Sequence, residues 1–134
     1  MAVYENSEQF YAVAEVLFDR VQEENPDAAD SVMEARLLIR FKCTNPNAEI
    51  LINGRRRPAS ISFGSNRVRP EVDAHMETDV LHQILLGELG LAKALSNKKV
   101  KLRGPAWKAL AVAELFHQCQ DLYPQILKEQ GLTT

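Results

Sequence analysis

The sequence predicts an α+β protein whose five-stranded, mostly antiparallel sheet is covered by helices. Three observations predict this class. Apolar residues recur at helical spacing near the start of the chain, four segments that alternate apolar and polar residues follow, and a second helical region then encloses one more alternating segment. Because most strands follow one another in the chain instead of alternating with helices, this order favours α+β over α/β.

The limits of the first and last helices are predicted from caps and prolines. Asn6 can cap the first helix, with Gln9 at the N3 position in a capping-box arrangement. The apolar face of this helix comprises Phe10, Val13, Ala14, Leu17 and Val21. The helix is expected to end at Asn25, because the residue before a proline avoids the α region, and residues 27–33 can add a short turn. Pro124 is expected to kink or end the last helix.

Four strands are predicted from the alternation between residues 36 and 76. Their inward rows are Leu37, Ile39, Phe41 and Cys43, then Ala48, Ile50 and Ile52, then Ala59, Ile61 and Phe63, and last Val68, Val72, Ala74 and Met76. Asn53-Gly54 marks a turn between the second and third strands. Pro70 interrupts the fourth strand, which indicates an edge or a bulge there. Val100 and Leu102 would supply a fifth strand.

The stretch from residue 75 to residue 116 is the most apolar part of the sequence, and we expect it to build an apolar interior. Thr78 or Asp79 is expected to cap a helix that Gly87 ends. Residues 106–116 are apolar nearly all round, so we expect that segment to be covered on most of its sides.

The charges are unevenly distributed along the chain, although the net charge is only −2. Residues 1–35 carry nine acids against Arg20 alone, and residues 36–69 carry eight bases against Glu49 alone. The favoured interpretation is that the acidic first helix lies near the basic strands, in the fold or in a dimer. The alternative is that the arginines face an anionic surface or ligand.

Length and segment composition limit the class of protein. The 134 residues fit one domain. No run of 18 apolar residues predicts a transmembrane helix, and neither terminus resembles a secretory or peroxisomal signal, so we expect the cytoplasm. Cys43 and Cys119 are then expected to be free thiols.

Three consecutive motifs follow the fourth predicted strand. They are Thr78-Asp79 followed by Leu81, Ile84 and Leu85-Leu86-Gly87-Glu88-Leu89; a short helix from Leu91 to Leu95; and Lys98-Lys99-Val100-Lys101-Leu102-Arg103-Gly104 before a closing apolar helix. In order and residues they resemble the sterol carrier protein (type two) family, also called nonspecific lipid-transfer proteins. The resemblance is specific over residues 72–116, whereas residues 5–71 agree in element order alone.

This resemblance implies that residues 1–134 form one sterol carrier protein-like domain, whose helices and sheet leave an apolar cavity. Such proteins hold a fatty acid, a sterol or a phospholipid without covalent chemistry. The residues that could line the cavity are Met76, Leu81, Ile84, Leu85, Leu89, Leu91, Leu95, Leu110 and Phe116. The alternative for each one is plain core packing, because any α+β domain buries about this many leucines.

Two further features have a functional and a structural interpretation. Trp107 could stack on a ligand or sit at a membrane interface, but core or rim packing is favoured. The arginine cluster could hold a lipid headgroup or an anionic bilayer, and the alternative is a solvated loop and sheet face. It comprises Arg55, Arg56, Arg57, Arg67 and Arg69.

The sequence contains no pattern that predicts catalysis or a cofactor. His75, His82 and His117 lack metal-ligand spacing, and His117 and Cys119 diverge on a helix because they are two residues apart. There is no phosphate-binding glycine loop and no nucleophile elbow. A role in nucleic-acid binding is disfavoured by the negative net charge and the lack of aromatic residues among the bases.

The sequence therefore predicts a small, non-enzymatic lipid carrier without metal or cofactor. At most peripheral contact with a membrane is expected, and a homodimer is compatible with the charge distribution. The alternative function is an interaction or dimerisation module of the same fold, accessory to an enzyme, with its groove filled by side chains or by a partner.

Overall fold

A five-stranded sheet lies at the centre of the computed structural model, which describes residues 3–132. The strands are β1 (Leu38–Thr44), β2 (Ala48–Asn53), β3 (Ser60–Phe63), β4 (Val72–Glu77) and β5 (Lys101–Arg103). The helices are α1 (Ser7–Glu24), α2 (Asp30–Glu34), α3 (Thr78–Leu86), α4 (Leu91–Ser96), α5 (Ala106–Ala109) and α6 (Ala113–Glu129), with a 3₁₀ turn at Leu110–Val112 between the last two. Among these residues, no helix has both the length and the apolar character needed to cross a bilayer.

The strand order is β3-β2-β1-β4-β5, which makes the sheet mixed but mostly antiparallel. Strands β1, β2 and β3 form an antiparallel meander, and β5 is antiparallel to β4. The chain then passes from one edge of the meander to the far side of β1, where β4 runs parallel to β1. The predicted α+β class with five mostly antiparallel strands is confirmed.

One face of the sheet carries the core. Phe41, Ile50 and Ala74 are register neighbours on β1, β2 and β4, and each is almost fully buried. Helices α1, α3 and α6 supply the other half of this core. The ring of Phe116 on α6 lies 5.3 Å from that of Phe41, measured between ring centroids. The predicted inward rows of β1, β2 and β4 therefore pack as expected for one buried face.

Two predicted strand limits are wrong. Val68 does not belong to β4: it lies in the loop before that strand, and 43% of its surface is exposed. The loop at this point is held by Arg40, whose guanidinium donates to the carbonyl of Val68 at 2.5 Å. The fifth strand is shorter than its alternation predicts, because Lys98 and Val100 belong to the turn that ends α4.

The cap predicted for α1 is right, whereas the caps predicted for α3 are wrong. Asn6 accepts from the backbone N–H of Gln9 at 2.8 Å, as predicted, although the Gln9 side chain accepts from Glu5 and not from Asn6. Neither Thr78 nor Asp79 caps α3. The Thr78 hydroxyl donates to carbonyls of the β1–β2 turn, and Asp79 accepts from the N–H of Val3. Tertiary partners therefore replace the predicted local ones.

The apolar segment at residues 106–116 is not covered as predicted. Trp107 is 72% exposed and Leu110 is 40% exposed. Of the favoured placements for Trp107, core or rim packing, the core is therefore wrong. The segment is broken into α5, a 3₁₀ turn and the start of α6, and its buried side is supplied by Ala109, Val112, Leu115 and Phe116. Pro124 does not end the last helix, since α6 continues to Glu129.

The acidic first helix forms no direct ion pair with the basic strands within residues 3–132: none of its acids pairs with a base of residues 36–69. An ion pair of α1 joins Arg20 to Glu129 of α6. Helix α1 does lie near the sheet, against β2 and β3, as the favoured interpretation expects. Pairing of the charges in a dimer and binding of an anion stay predictions.

Candidate ligand-binding cleft

An apolar cleft of about 310 Å³ opens between the α3–α4 connection and α6. Ile84 of α3, Leu89 and Gly90 of the connection and Leu91 of α4 form one wall. The other wall belongs to the first three turns of α6 and comprises Ala113, Glu114, Phe116, His117 and Gln120. The cleft has the size of the smaller ligand pockets of proteins.

Local chain geometry brings the two walls together. Gly87 adopts a left-handed conformation (φ 81°), which side chains rarely tolerate, and so ends α3 after Leu86. The backbone N–H groups of Glu88 and Leu89 then both bond to the carbonyl of Gln83. This tight turn reverses the chain, and Leu89 and Leu91 come to lie opposite α6.

The cleft has an apolar floor and a polar rim. Ile84 and Phe116 are almost completely buried and belong to the core, whereas Leu89 is half-buried. Glu114 and His117 are exposed, at the opening. Such an arrangement can hold a hydrocarbon chain along its floor while leaving a polar group of the same ligand in water.

The structure brings four of the nine predicted cavity residues to this cleft: Ile84, Leu89, Leu91 and Phe116. Met76, Leu81 and Leu85 are buried in the core, and Leu95 is half-buried against it. Leu110 is exposed on the 3₁₀ turn. A ligand contact for each of the nine stays a prediction.

A buried polar chain lies in the interior beside α3 and α6. The hydroxyls of Tyr4 and Tyr123 are 2.5 Å apart, and the Tyr123 hydroxyl lies 2.6 Å from Nδ1 of His82. The contact of Asp79 with the backbone of Val3, at 2.9 Å, holds the N-terminal segment where Tyr4 reaches Tyr123. All three side chains of the polar chain are buried, so each depends on the others for hydrogen bonding.

Burial keeps this polar chain uncharged. It raises the pKa of Tyr4 to about 12 and raises that of Tyr123 as well. It also lowers the pKa of His82 below its ordinary value, although Asp79 and Glu88 act in the opposite direction. Neutral groups can sit in an apolar interior at modest cost when they are hydrogen-bonded.

Sequence reasoning missed the polar chain. His82 sits among apolar neighbours on α3, and Tyr123 follows Cys119 at helical spacing on α6. Each pattern indicates only weakly that a polar side chain is buried there. Nothing in the sequence indicates that Tyr4 would join them, since it stands 119 residues from Tyr123.

The cysteines are not placed for chemistry. Both are free and buried, and burial raises the pKa of Cys43 to about 12 and that of Cys119 further above its ordinary value. The thiol, not the reactive thiolate, is therefore the stable form of each. Within residues 3–132, no group of three histidine, cysteine or acidic side chains is arranged to hold a metal ion.

A sequence profile described as the SCP-2 sterol transfer family matches residues 18–117 of the chain. No curated protein sequence matches this chain significantly. The match covers most of the chain, so the resemblance predicted from residues 72–116 is confirmed.

Solved structures share the fold at low sequence identity. Sterol carrier protein 2 from Yarrowia lipolytica (apo form) has a TM-score of 0.61 and 17% identity, over 79% of this chain and 91% of that one. The sterol carrier protein domain 2 of Helicoverpa armigera has a TM-score of 0.62 and 17% identity, over 84% and 89%. Sterol carrier protein 2 like 2 from Aedes aegypti has a TM-score of 0.55 and 18% identity, over 81% and 96%.

Proposed function

Because the chain belongs to the SCP-2 sterol transfer family, we propose that it is a non-enzymatic lipid carrier that holds a fatty acyl or similar apolar ligand. The observation that supports this most directly is the cleft between the α3–α4 connection and α6, with its apolar floor and polar rim. Two of the proteins with similar structures, from Yarrowia lipolytica and Helicoverpa armigera, are named as sterol carrier proteins, which supports an apolar ligand.

The free energy of burying a hydrocarbon chain is compatible with micromolar binding of a lipid. Burial of a methylene group contributes about 0.8 kcal/mol, so ten methylenes contribute about 8 kcal/mol before costs. Ordering of the ligand and of side chains subtracts several kcal/mol. A longer buried chain can then reach micromolar affinity, which corresponds to about −8 kcal/mol. Since methylenes offer little to discriminate, we expect broad specificity.

The same proposal includes no chemical reaction at the cleft. The polar residues of the lining stand at the rim on α6: Glu114, His117 and Gln120. They can contact a carboxylate or hydroxyl group of a ligand. The wall opposite them is apolar and consists of Leu89 and Leu91. In this proposal no bond of the ligand is made or broken, and the protein contributes binding and protection from water.

The first experiment is mass spectrometry of the purified protein, native and after organic extraction, followed by titration of the stripped protein with a fluorescent fatty acid. The Leu89→Gln variant should bind the probe about tenfold more weakly, because a wall of the cleft becomes polar. Leu86→Gln is the matched control: Leu86 is also half-buried and packs against the core, but it does not line the cleft.

Two outcomes would contradict the proposal. One is a protein that carries no lipid and binds no fatty acid, which would make an interaction module the better interpretation. The other is an equal loss of binding in the Leu89 and Leu86 variants, which would move the ligand away from this cleft.

A further inference from the structure

A row of basic side chains crosses three strands on the face of the sheet opposite the core. Lys42 of β1 is the register partner of His75 of β4, and His75 is the register partner of Lys101 of β5. Adjacent strands lie about 4.8 Å apart, so the three side chains stand side by side. On the β2 side the row ends at Glu49, the register partner of Lys42, whose carboxylate pairs with Arg40.

The turn between α4 and β5 adds two lysines to the same place. Lys98 and Lys99 line a cleft of about 270 Å³ together with Lys42, Thr44, His75 and Lys101. We call this the lysine cleft. Four lysines of the chain thus converge on one concave surface, with the hydroxyl of Thr44 as an added hydrogen-bond donor.

Lys98 occupies a backbone position that favours glycine. Its φ is 61°, and it stands at the C′ position of α4, with its N–H bonded to Leu95 and that of Lys99 bonded to Ala94. This pair of bonds is the Schellman motif, in which C′ is usually glycine or asparagine. A lysine here is locally disfavoured, and backbone strain of this kind often marks a functional position.

The four lysines of the cleft have no ion-pair partner in the described part of the chain. Glu77 is the carboxylate on its lining, and Asp73 lies 3.3 Å from Nε2 of His75 at the border. Positive charge therefore exceeds negative charge at the surface of the cleft.

We propose that the lysine cleft is a binding site for a phosphate-bearing anion. Lysine ammonium groups are common phosphate ligands, and a phosphate monoester carries nearly two negative charges at neutral pH. The anion would lie between Lys42 and Lys101, which flank His75 across the sheet. The site lies on the outer face of the sheet, away from the apolar cleft, so this inference does not depend on lipid binding.

The test is an amide NMR titration with pyrophosphate at constant ionic strength. The amides of residues 42–44, 75 and 98–101 should shift together and saturate. Lys42→Gln/Lys101→Gln should bind at least about tenfold more weakly, with an otherwise unchanged spectrum because both side chains are exposed. Lys128→Gln, which removes an exposed lysine from α6, is the matched control and should bind like the wild type.

Two additional measurements separate a binding role from a structural one and identify the source of the phosphate. Lys98→Gly should raise the melting temperature, since glycine suits the left-handed position, and yet weaken pyrophosphate binding.

Cosedimentation with phosphatidic acid vesicles, against phosphatidylcholine vesicles, tests for a lipid headgroup. Binding of either pyrophosphate or phosphatidic acid that depends on Lys42 and Lys101 supports the site and names the source.

The proposal is overturned by any of three results: neither phosphate source binds, the Lys128 variant loses as much affinity as the double variant, or the shifts spread without saturation over all basic surfaces. A Lys98→Gly protein that binds pyrophosphate as tightly as the wild type would remove Lys98 from the site.

Discussion

At the scale of single residues, Tyr123 joins two other buried polar side chains in the interior. Its hydroxyl is shared between the hydroxyl of Tyr4 and the imidazole of His82. Because all three groups are buried, no water can replace a lost partner easily. A buried polar group left without a partner costs more than the bond itself contributes.

Tyr123→Phe should lower the free energy of unfolding by about 1–3 kcal/mol, because it leaves Tyr4 and His82 without their shared partner. Urea denaturation measures the effect. In the double variant Tyr4→Phe/Tyr123→Phe, the cost should be smaller than the sum of the two single costs, since the groups form one unit. Additive costs, or a Tyr123 variant as stable as the wild type, would show that the chain of hydrogen bonds is not formed in solution.

His82 should make stability depend on pH above the range in which carboxylates titrate. Burial holds its folded-state pKa below the ordinary 6.5, so the unfolded chain takes up the proton first as pH falls. The contribution of neutral His82 is therefore complete above about pH 6.5 and decreases below it. Glu71 and Glu129 also have lowered pKa values, but they lose their contributions only below about their ordinary 4.5.

The measurement is urea denaturation at pH 7.5 and at pH 5.5, with His82→Gln as the comparison, because glutamine can still bond Tyr123 but does not titrate. Wild-type stability should fall between these pH values by more than that of the variant. Equal falls in the two proteins would assign the pH dependence to other groups.

At the scale of elements, the contact between α2 and the β2–β3 loop depends on a glycine. A Cβ atom added to Gly54 would lie 2.3 Å from the carbonyl oxygen of Val32, which is backbone and cannot move aside as a side chain could. The N–H of Gly54 also donates to the carbonyl of Leu37 at 2.7 Å. The loop that carries Arg55, Arg56 and Arg57 thus begins at a close backbone contact.

Gly54→Ala should destabilise the protein by about 2–3 kcal/mol, because the backbone must shift to remove the overlap. Thermal denaturation is a sufficient measurement. Gly90→Ala is the control: a Cβ atom there meets nothing within 4 Å, so its cost should stay within about 1 kcal/mol. A Gly54 variant no less stable than the Gly90 variant would contradict the close approach of the loop to α2.

At the scale of the whole molecule, the surface separates into regions of different character. Trp107 and Leu110 project from the segment before α6, the lysine cleft lies on the outer sheet face, and the apolar cleft opens beside α6. A carrier must exchange its ligand with a membrane or a partner. An exposed tryptophan is suited to the interface between water and lipid.

Trp107→Ala should leave stability nearly unchanged, since 72% of the side chain is exposed, but should slow delivery of a fluorescent fatty acid to vesicles. Trp107 is the only tryptophan of the chain, so its fluorescence reports on this position alone. A blue shift with vesicles would place it in the lipid interface. Unchanged emission together with an unchanged transfer rate would exclude this segment as the point of contact.

The sheet and the main helices were predictable because their signals are local. Alternation along β1, β2 and β4 needs only a side-chain period of two, and Gly87 ends α3 through its own backbone freedom. The errors came where distant residues compete for the same groups. Thr78 and Asp79 are residue types that often cap helices. Here Thr78 donates to the β1–β2 turn and Asp79 accepts from the N–H of Val3 instead.

The candidate site was predictable only in part, for the same reason. Periodicity marks Ile84, Leu91 and Phe116 as apolar, but it does not say which of them meet across a cleft and which pack inside the core. Trp107 shows the opposite case: its apolar neighbours predicted burial, whereas the break of the helix at residues 110–112 left it in solvent.

The sequence by itself determined the fold class, the family and the apolar character of the central stretch, because each depends on the order and spacing of residues along the chain. Only the tertiary structure decided three placements: Leu89 opposite α6, Tyr4 beside Tyr123, and four lysines around one cleft. Those groups come from elements far apart in sequence. Their meeting depends on how helices pack against the sheet and on strand register, which no local pattern encodes.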